Sequence, residues 1–260
     1  MKFRFLLAAL TVSCAQTPQY TARIVNTFPH DPNAFTQGLE FHGGGLYEST
    51  GMVGQSGIRK VTLETGKVLQ QLRVGPPFFG EGITIVNGQL IQLTWQHQTG
   101  FVYKFPELQF VKQFSYSGEG WGLTNDGKQI YMSDGTAQIR VWDPATLKEI
   151  RRITVQDGTR RISALNELEW VRGEIWANVW QTDQIVRIAP ATGKVLGWID
   201  LSALPRDRGT ADVLNGIAYD AATKRLIVTG KFWSKVYQIE LVPIAPARSV
   251  PAPSHRQGVP

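Results

Sequence analysis

An all-β ring of five four-stranded blades, a five-bladed β-propeller closed by pairing the N-terminal strand into the last blade, is the fold that this sequence predicts. Three observations predict it. A short unit recurs as Gln37-Gly38-Leu39, Glu81-Gly82-Ile83, Trp121-Gly122-Leu123, Asn166-Glu167-Leu168 and Asn215-Gly216-Ile217, each just ahead of a turn and a second apolar run. The middle residues of these units lie 44, 40, 45 and 49 residues apart. A repeat of this length built only of short strands is the signature of a propeller, one blade per period. Second, no segment carries the apolar period of a helix, whereas short apolar runs bounded by Gly, Asn, Asp and Pro follow one another along the chain. Third, the last repeat is one strand short and the N-terminus has a strand to spare.

The elements follow in order. Thr21 to Phe28 reads as a lone strand before the first repeated unit. Repeat one runs Gly38–Phe41, Leu46–Ser49, Ile58–Leu63 and Val68–Val74, turning at Gly43–Gly45, Gly54–Gly57 and Glu64–Gly66. These turns are made of residues that tolerate positive φ or tight reversal. Repeat two runs Ile83–Val86, Leu90–Trp95, Phe101–Phe105 and Leu108–Phe114. Repeat three runs Leu123–Thr124, Ile130–Ser133, Ile139–Trp142 and Ile150–Val155. Repeat four runs Leu168–Val171, Ile175–Trp180, Ile185–Ile188 and Val195–Leu201. Repeat five has Ile217–Tyr219, Leu226–Thr229 and Val236–Leu241, and then Pro243, Pro246, Pro251 and Pro253 bar a regular central strand. Pairing Thr21–Phe28 into this last repeat would remove an exposed sheet edge. The expected domain is 20–243, with a Pro-rich tail over 244–260.

Composition narrows the function classes. The chain has 260 residues, 42% hydrophobic and 18% charged, which is globular rather than disordered. The formal charge of +6 is spread over scattered Lys and Arg with no dense basic run, so nucleic acid is not the expected partner. One cysteine excludes an internal disulfide, and the four histidines lack zinc spacing. Lys2 and Arg4, the apolar run Phe5–Val12 and the small residues Ser13-Cys14-Ala15 read as an export signal over residues 1–15, cut before Gln16. The apolar run is too short to span a membrane. Lipid attachment at Cys14 is the other reading of the same stretch. Either way the expected location is outside the cytoplasm, in a periplasm.

The predicted topology concentrates chemistry at one place. In a four-stranded blade the first strand is innermost, and the loop from one blade's outer strand to the next blade's inner strand lies on one face. Each such loop delivers the leading residue of a unit, Gln37, Glu81, Trp121, Asn166 or Asn215, to the channel mouth. The antiparallel second strand returns to the same face about 14 residues later, which pairs Glu81 with Trp95 and Asn166 with Trp180. In repeat five the matching strand end holds Lys231. Each of these residues also has a plain structural use. A Trp at a strand end packs blades, an Asn before a strand makes a turn, and a Lys at an edge is solvated. A Glu between two glycines is harder to explain that way, because flanking Gly implies a close approach of backbone or ligand.

Phe35–Leu39, Gly80–Ile83, Leu93–Trp95, Gly120–Leu123, Asn166–Trp170, Asn215–Ile217 and Thr229–Lys231 together closely resemble the glutaminyl-peptide cyclotransferases of plant and bacterial type, over roughly Tyr20 to Leu241. Gly82-Ile83 departs mildly from the Gly-Leu of many members. The resemblance implies a five-bladed propeller that converts N-terminal Gln of peptides and proteins to pyroglutamate with release of ammonia. It implies Glu81 as the acid/base, with Phe35, Gln37, Trp95, Trp121, Asn166, Trp180 and Lys231 around the substrate. It implies no cofactor for the chemistry, leaves room for a structural divalent cation whose ligands the sequence does not identify, and goes with a monomer lacking a transmembrane segment.

The implied reaction is an attack of the α-amine on the side-chain carbonyl carbon of the same residue. It needs one proton shuttle, which a carboxylate such as Glu81 can provide, and a donor for the oxyanion, for which the indole N–H groups, Asn166, Gln37 or Lys231 are candidates. Two rivals use the same aromatic mouth differently. One is a non-catalytic propeller that binds peptides or sugars. The other is a metal-dependent hydrolase such as a lactonase, which would need clustered carboxylates where the repeated units supply one.

Overall fold

The computed structural model describes residues 16–245 except 208 and 210. The expected export signal with Cys14, and the Pro-rich stretch from 246 onward, lie outside the described residues. Within them the chain is all-β and contains no helix, hence none long and apolar enough to cross a membrane.

The strands in chain order begin with β1 (Gln19–Pro29), β2 (Thr36–His42), β3 (Gly45–Thr50), β4 (Gly57–Val61) and β5 (Val68–Arg73). β6 (Gly80–Val86), β7 (Gln89–Thr94), β8 (Thr99–Lys104) and β9 (Gln109–Ser115) form the next antiparallel sheet. β10 (Leu123–Asn125), β11 (Ile130–Ser133), β12 (Gln138–Trp142) and β13 (Glu149–Thr154) form a third, as β2–β5 form the first. A small hairpin, β14 (Gln156–Asp157) and β15 (Arg160–Arg161), turns at Gly158 in what the sequence had suggested was plain loop. β16 (Leu165–Val171), β17 (Glu174–Val179), β18 (Gln184–Ile188) and β19 (Val195–Asp200) follow, and β20 (Leu214–Asp220), β21 (Arg225–Gly230) and β22 (Lys235–Ile244) complete the order.

β1 lies antiparallel to β22 from Gln19 opposite Ile244 to Pro29 opposite Lys235, as the spare-strand argument expected. It also pairs in parallel with β19 through Gln19–Thr21, which the sequence did not suggest. The result is one eight-stranded sheet in the order β16-β17-β18-β19-β1-β22-β21-β20. β22 continues through Val242, Pro243 and Ile244, beyond the expected end at Leu241. β21 pairs with β22 only as far as Ile239, so Pro243 stands beside an open edge, where a proline is tolerated.

The innermost strands touch in a cycle, β2 with β6, β6 with β10, β10 with β16, β16 with β20 and β20 with β2. Glycine sets this close pitch. A Cβ on Gly82 would stand 2.6 Å from both the Trp121 carbonyl oxygen and the Leu123 nitrogen, and one on Gly38 would stand 2.8 Å from the Ile83 nitrogen. The close approach that the glycines signalled is therefore strand to strand. Apolar residues fill the space between neighbouring sheets, as where Val86, Ile91 and Leu93 meet Leu123, Ile130 and Met132.

Buried carboxyl groups tie the inner strands together. Glu40 on β2 accepts the Ile85 N–H of β6 at 3.0 Å. Glu167 on β16 accepts from Ile217 of β20 at 2.8 Å and from Leu39 of β2 at 3.2 Å. Glu169 accepts from Tyr219 at 2.7 Å. Burial pushes Glu40 up to about 8 and holds Glu167 and Glu169 well above their ordinary value, with repulsion from Glu40 adding to both and from Glu167 to Glu169. A raised carboxyl binds its proton more tightly in the folded than in the unfolded chain. Its contribution is complete below the ordinary value of 4.5 and is lost as pH rises toward about 8. We therefore expect the melting temperature to fall between pH 5 and pH 8 by the equivalent of a few kcal/mol, and Glu40→Gln to flatten that fall. A melting temperature that rises steadily over this range in the parent would contradict neutral carboxyls at the centre.

Candidate active site

Four of the five inner strands carry an irregularity at the repeated unit. Register shifts fall between Thr36 and Gly38, Gly80 and Ile83, Leu165 and Leu168, and Leu214 and Ile217. Each places one extra residue at the strand entrance, and such bulges re-aim side chains. This local geometry turns Gln37, Glu81 and Asn166 toward the axis. The fifth unit precedes β10, where Trp121 N–H donates to the Ser133 carbonyl at 3.0 Å and the Trp121 carbonyl accepts from Gly82 N–H at 2.7 Å.

A cavity of about 390 Å³ opens at this end, lined by Phe35, Gln37, Phe79, Glu81, Trp95, Trp121, Asn166, Trp180, Gln181, Asp212, Val213 and Lys231. Glu81 and the seven residues that the resemblance placed around the substrate all face it. Its volume suits one amino-acid residue and part of the next. A second cavity of about 420 Å³ between the β16–β19 and β20–β22 strands is lined by Arg172, Arg187, Glu174 and Tyr219 and holds none of the eight. Its Arg187 is already paired with Glu174 at 2.8 Å.

Glu81 is only 4% exposed and accepts from Gln37 Nε2 at 2.8 Å. Burial holds its carboxyl well above the usual range, Lys231 opposes this, and the charge of Glu119 adds to it. Lys231 is 5% exposed and follows β21. Burial lowers its ammonium below the usual lysine value, against the pull of Glu81 and Asp212. Its Nζ stands 4.4 Å from the Phe35 ring centre, a cation–π contact.

Aromatic rings form the walls edge to face. Phe35 meets Phe79 at 5.8 Å, Phe79 meets Trp95 at 5.8 Å, and Trp121 meets Trp180 at 5.5 Å. Trp95 and Trp180 remain 38% and 39% exposed at the rim. The expectation that indole N–H groups serve the oxyanion changes here. Trp95 Nε1 and Trp121 Nε1 both donate to Glu119 Oε2, at 2.8 and 2.9 Å. Gln37 has likewise committed its amide to Glu81. Among the residues lining the cavity, Lys231, Asn166 and the Trp180 indole N–H keep side-chain donors uncommitted, and Asn166 Oδ1 is buried without a partner.

Asn215, expected at the mouth, is instead fully buried one layer below. Its Nδ2 donates to the Thr36 carbonyl at 2.9 Å and to Gln37 Oε1 at 3.3 Å. The bulge at Gly216, with φ of 121°, turns it against β2. By taking Gln37 Oε1 it orients the Gln37 amide so that Nε2 meets Glu81. His30, just after β1, adds a support for the Lys231 loop. Its Nδ1 bonds the Trp233 carbonyl at 2.6 Å and its Nε2 bonds Glu48 Oε1 at 3.0 Å. Both partners only accept, so both ring nitrogens donate and the imidazole is charged. Burial opposes that charge, and the Glu48 carboxylate outweighs it.

Phe79, Glu119, Gln181, Asp212 and Val213 were not singled out in the sequence. Glu119 had a signal, since Gly118-Glu119-Gly120 repeats the pattern Gly80-Glu81-Gly82. Asp212 and Val213 had none. No group of three or more His, Cys, Asp or Glu is placed to hold a metal ion among the described residues.

A family model described as Glutamine cyclotransferase matches residues 2–241. The chain belongs to that family. The glutaminyl-peptide cyclotransferase of Arabidopsis thaliana is 48% identical over 226 residues, 84% of this chain and 70% of that protein. The crystal structure of Myxococcus xanthus glutaminyl cyclase superposes with a TM-score of 0.83 at 34% identity, over 88% of this chain and 100% of that one.

Proposed function

We propose that this protein is a glutaminyl-peptide cyclotransferase acting on peptides and proteins with N-terminal Gln. The observation that carries the reading is Glu81, buried, oriented by Gln37 and facing an aromatic cavity of about 390 Å³ beside Lys231, in a chain of this family. The substrate's α-amine attacks its own γ-carbonyl carbon. Glu81 takes a proton from that amine and delivers one to the departing NH₂, so that a C–N bond forms, a C–N bond breaks and ammonia leaves. The raised carboxyl of Glu81 suits this role, because burial moves its proton affinity toward that of an amine, which helps the proton to move either way. Lys231, Asn166 and the Trp180 indole N–H are the donors left for the oxyanion. The partnerless Asn166 Oδ1 suits an N–H of the substrate. The rings hold the alkyl part of Gln folded, which supplies proximity.

The reading extends to the scaffold and setting. The cycle of inner strands supports a propeller of five blades with β1 completing the last one. Residues 1–15 support export to a periplasm, with Cys14 as the alternative lipid site. The chemistry proposed here calls on no metal or cofactor, and the residues it invokes all line one cavity.

A Gln-initiated peptide incubated with the protein and read by mass spectrometry is expected to lose one ammonia per molecule. Prior incubation with a chelator is expected to leave the rate unchanged. Tight binding of the peptide with no ammonia released would point to a binding module. A prompt, reversible loss of turnover on chelation, with the fold intact, would point to a metal-dependent hydrolase.

A further inference from the structure

We propose that Glu119 is a positioning residue for the reaction: one carboxylate oxygen clamps the indoles of Trp95 and Trp121, fixing two walls of the cavity from behind. The inference rests on the cyclisation reading above.

The geometry is specific. Glu119 lies in the loop between β9 and β10, two residues before Trp121, while Trp95 follows β7 of the preceding sheet. Oε2 accepts both indole N–H groups, at 2.8 and 2.9 Å, and Oε1 accepts from Gln96 Nε2 at 3.2 Å. The backbone supports the same junction, with Gly120 N–H donating to the Trp95 carbonyl at 3.0 Å. A carboxylate can take several donors at once, which a neutral amide with one oxygen does less well. Both walls belong to the candidate cavity, whereas Glu119 does not line it. It therefore acts through the two rings rather than by touching the substrate.

Two consequences follow from the same contacts. The clamp withholds both N–H groups from the substrate, so these two rings offer faces and edges while hydrogen bonding is left to Asn166, Lys231 and the Trp180 indole N–H. It also places a negative charge near Glu81. The groups that face Glu81 are Gln37 from β2, Lys231 after β21, Tyr116 and Glu119 from the β9–β10 loop. Those that face Glu119 are Trp95, Gln96 and Trp121, with no cation among the hydrogen-bond partners. Removing the charge lowers the affinity of Glu81 for its proton.

The test compares the full chain with Glu119→Ala and the near-isosteric Glu119→Gln. Both the Kd for a Gln-initiated peptide and the rate of ammonia release are measured across pH, with melting temperature as the check on folding. Glu119→Ala is expected to raise Kd and KM about tenfold, with a smaller fall in kcat. Glu119→Gln is expected to move the acid limb of kcat/KM to lower pH, a shift that loss of wall packing alone would not cause. Trp121→Phe, which removes the indole N–H together with part of the ring, is expected to weaken binding in the parent and to cost less in the Glu119→Ala background. Folded Glu119 variants with parental Kd and an unmoved acid limb would overturn the inference while leaving the cyclisation reading intact. Fully additive losses for Glu119→Ala and Trp121→Phe would overturn it as well. A parent that binds the peptide without releasing ammonia would overturn the cyclisation reading, and the Kd changes would still decide whether Glu119 sets the walls. A parent that does neither overturns both.

Discussion

Glu81→Gln is expected to slow pyroglutamate formation by on the order of 10²-fold or more, with melting temperature and peptide Kd little changed. The reason lies in what the substitution keeps. Gln37 Nε2 donates to Glu81 Oε1 at 2.8 Å, and the amide oxygen of the new side chain can accept that same bond. The site is one where burial already favours the uncharged carboxyl, so a neutral amide does not leave a buried charge unanswered. What disappears is the group proposed both to accept the proton of the attacking amine and to return one to the leaving nitrogen. Lys231 stays beside the reacting carbonyl, so residual catalysis from proximity and oxyanion contact remains. Trp95→Ala makes the contrasting control. It removes a rim wall and one arm of the Glu119 clamp, and its main loss is expected in KM. Ammonia release by Glu81→Gln at the parental rate, measured by mass spectrometry on the same peptide, would remove Glu81 from the mechanism.

Much of this arrangement was legible from residues alone, because two of its determinants are periodic. The repeat spacing sets which strands are innermost, and the antiparallel return of the second strand brings Trp95 to Glu81 and Trp180 to Asn166. Both follow from strand geometry without knowledge of any side-chain contact. The parts that were not legible depend on single-residue irregularities and on partners far apart in sequence. Asn215 looked equivalent to Asn166, yet the positive φ of Gly216 sends it beneath Gln37. The indole N–H groups looked free until Glu119 was seen to take two of them. Glu40, Glu167 and Glu169 sit within apolar strands, where alternation alone would call them solvent-facing. They point to the axis and cap backbone N–H groups of neighbouring strands. The parallel pairing of β1 with β19 also has no local signal, since it joins residues about 180 positions apart.

Removal of β1, residues 19–29, is the change expected to damage the fold most. β1 lies between β22 and β19 and links the four strands β16–β19 to the three strands β20–β22 of the eight-stranded sheet. Without it β22 loses its partner from Lys235 to Ile244, and β19 loses the one beside Trp198–Asp200. Two sheet edges open at once. Tyr20, Ala22 and Ile24 leave one apolar cluster and Phe28 leaves another. At about 1 to 2 kcal/mol for each large, partly covered side chain, the apolar loss alone is on the order of 5 kcal/mol. That is a large share of the roughly 5–15 kcal/mol that holds a typical domain together. His30 also loses the strand that delivers it to Trp233 and Glu48, so the loop bearing Lys231 loosens and the site fails with the fold. The expected result is a melting temperature lower by about 10–20 °C, or no cooperative transition at all. A synthetic peptide spanning the strand, added in excess, is expected to restore both the transition and the turnover, because binding to the folded form alone shifts the equilibrium toward it. Equal melting temperatures for the truncated and parental chains would show that β22 and β19 hold together without β1, and that its ten paired residues merely decorate an already stable edge.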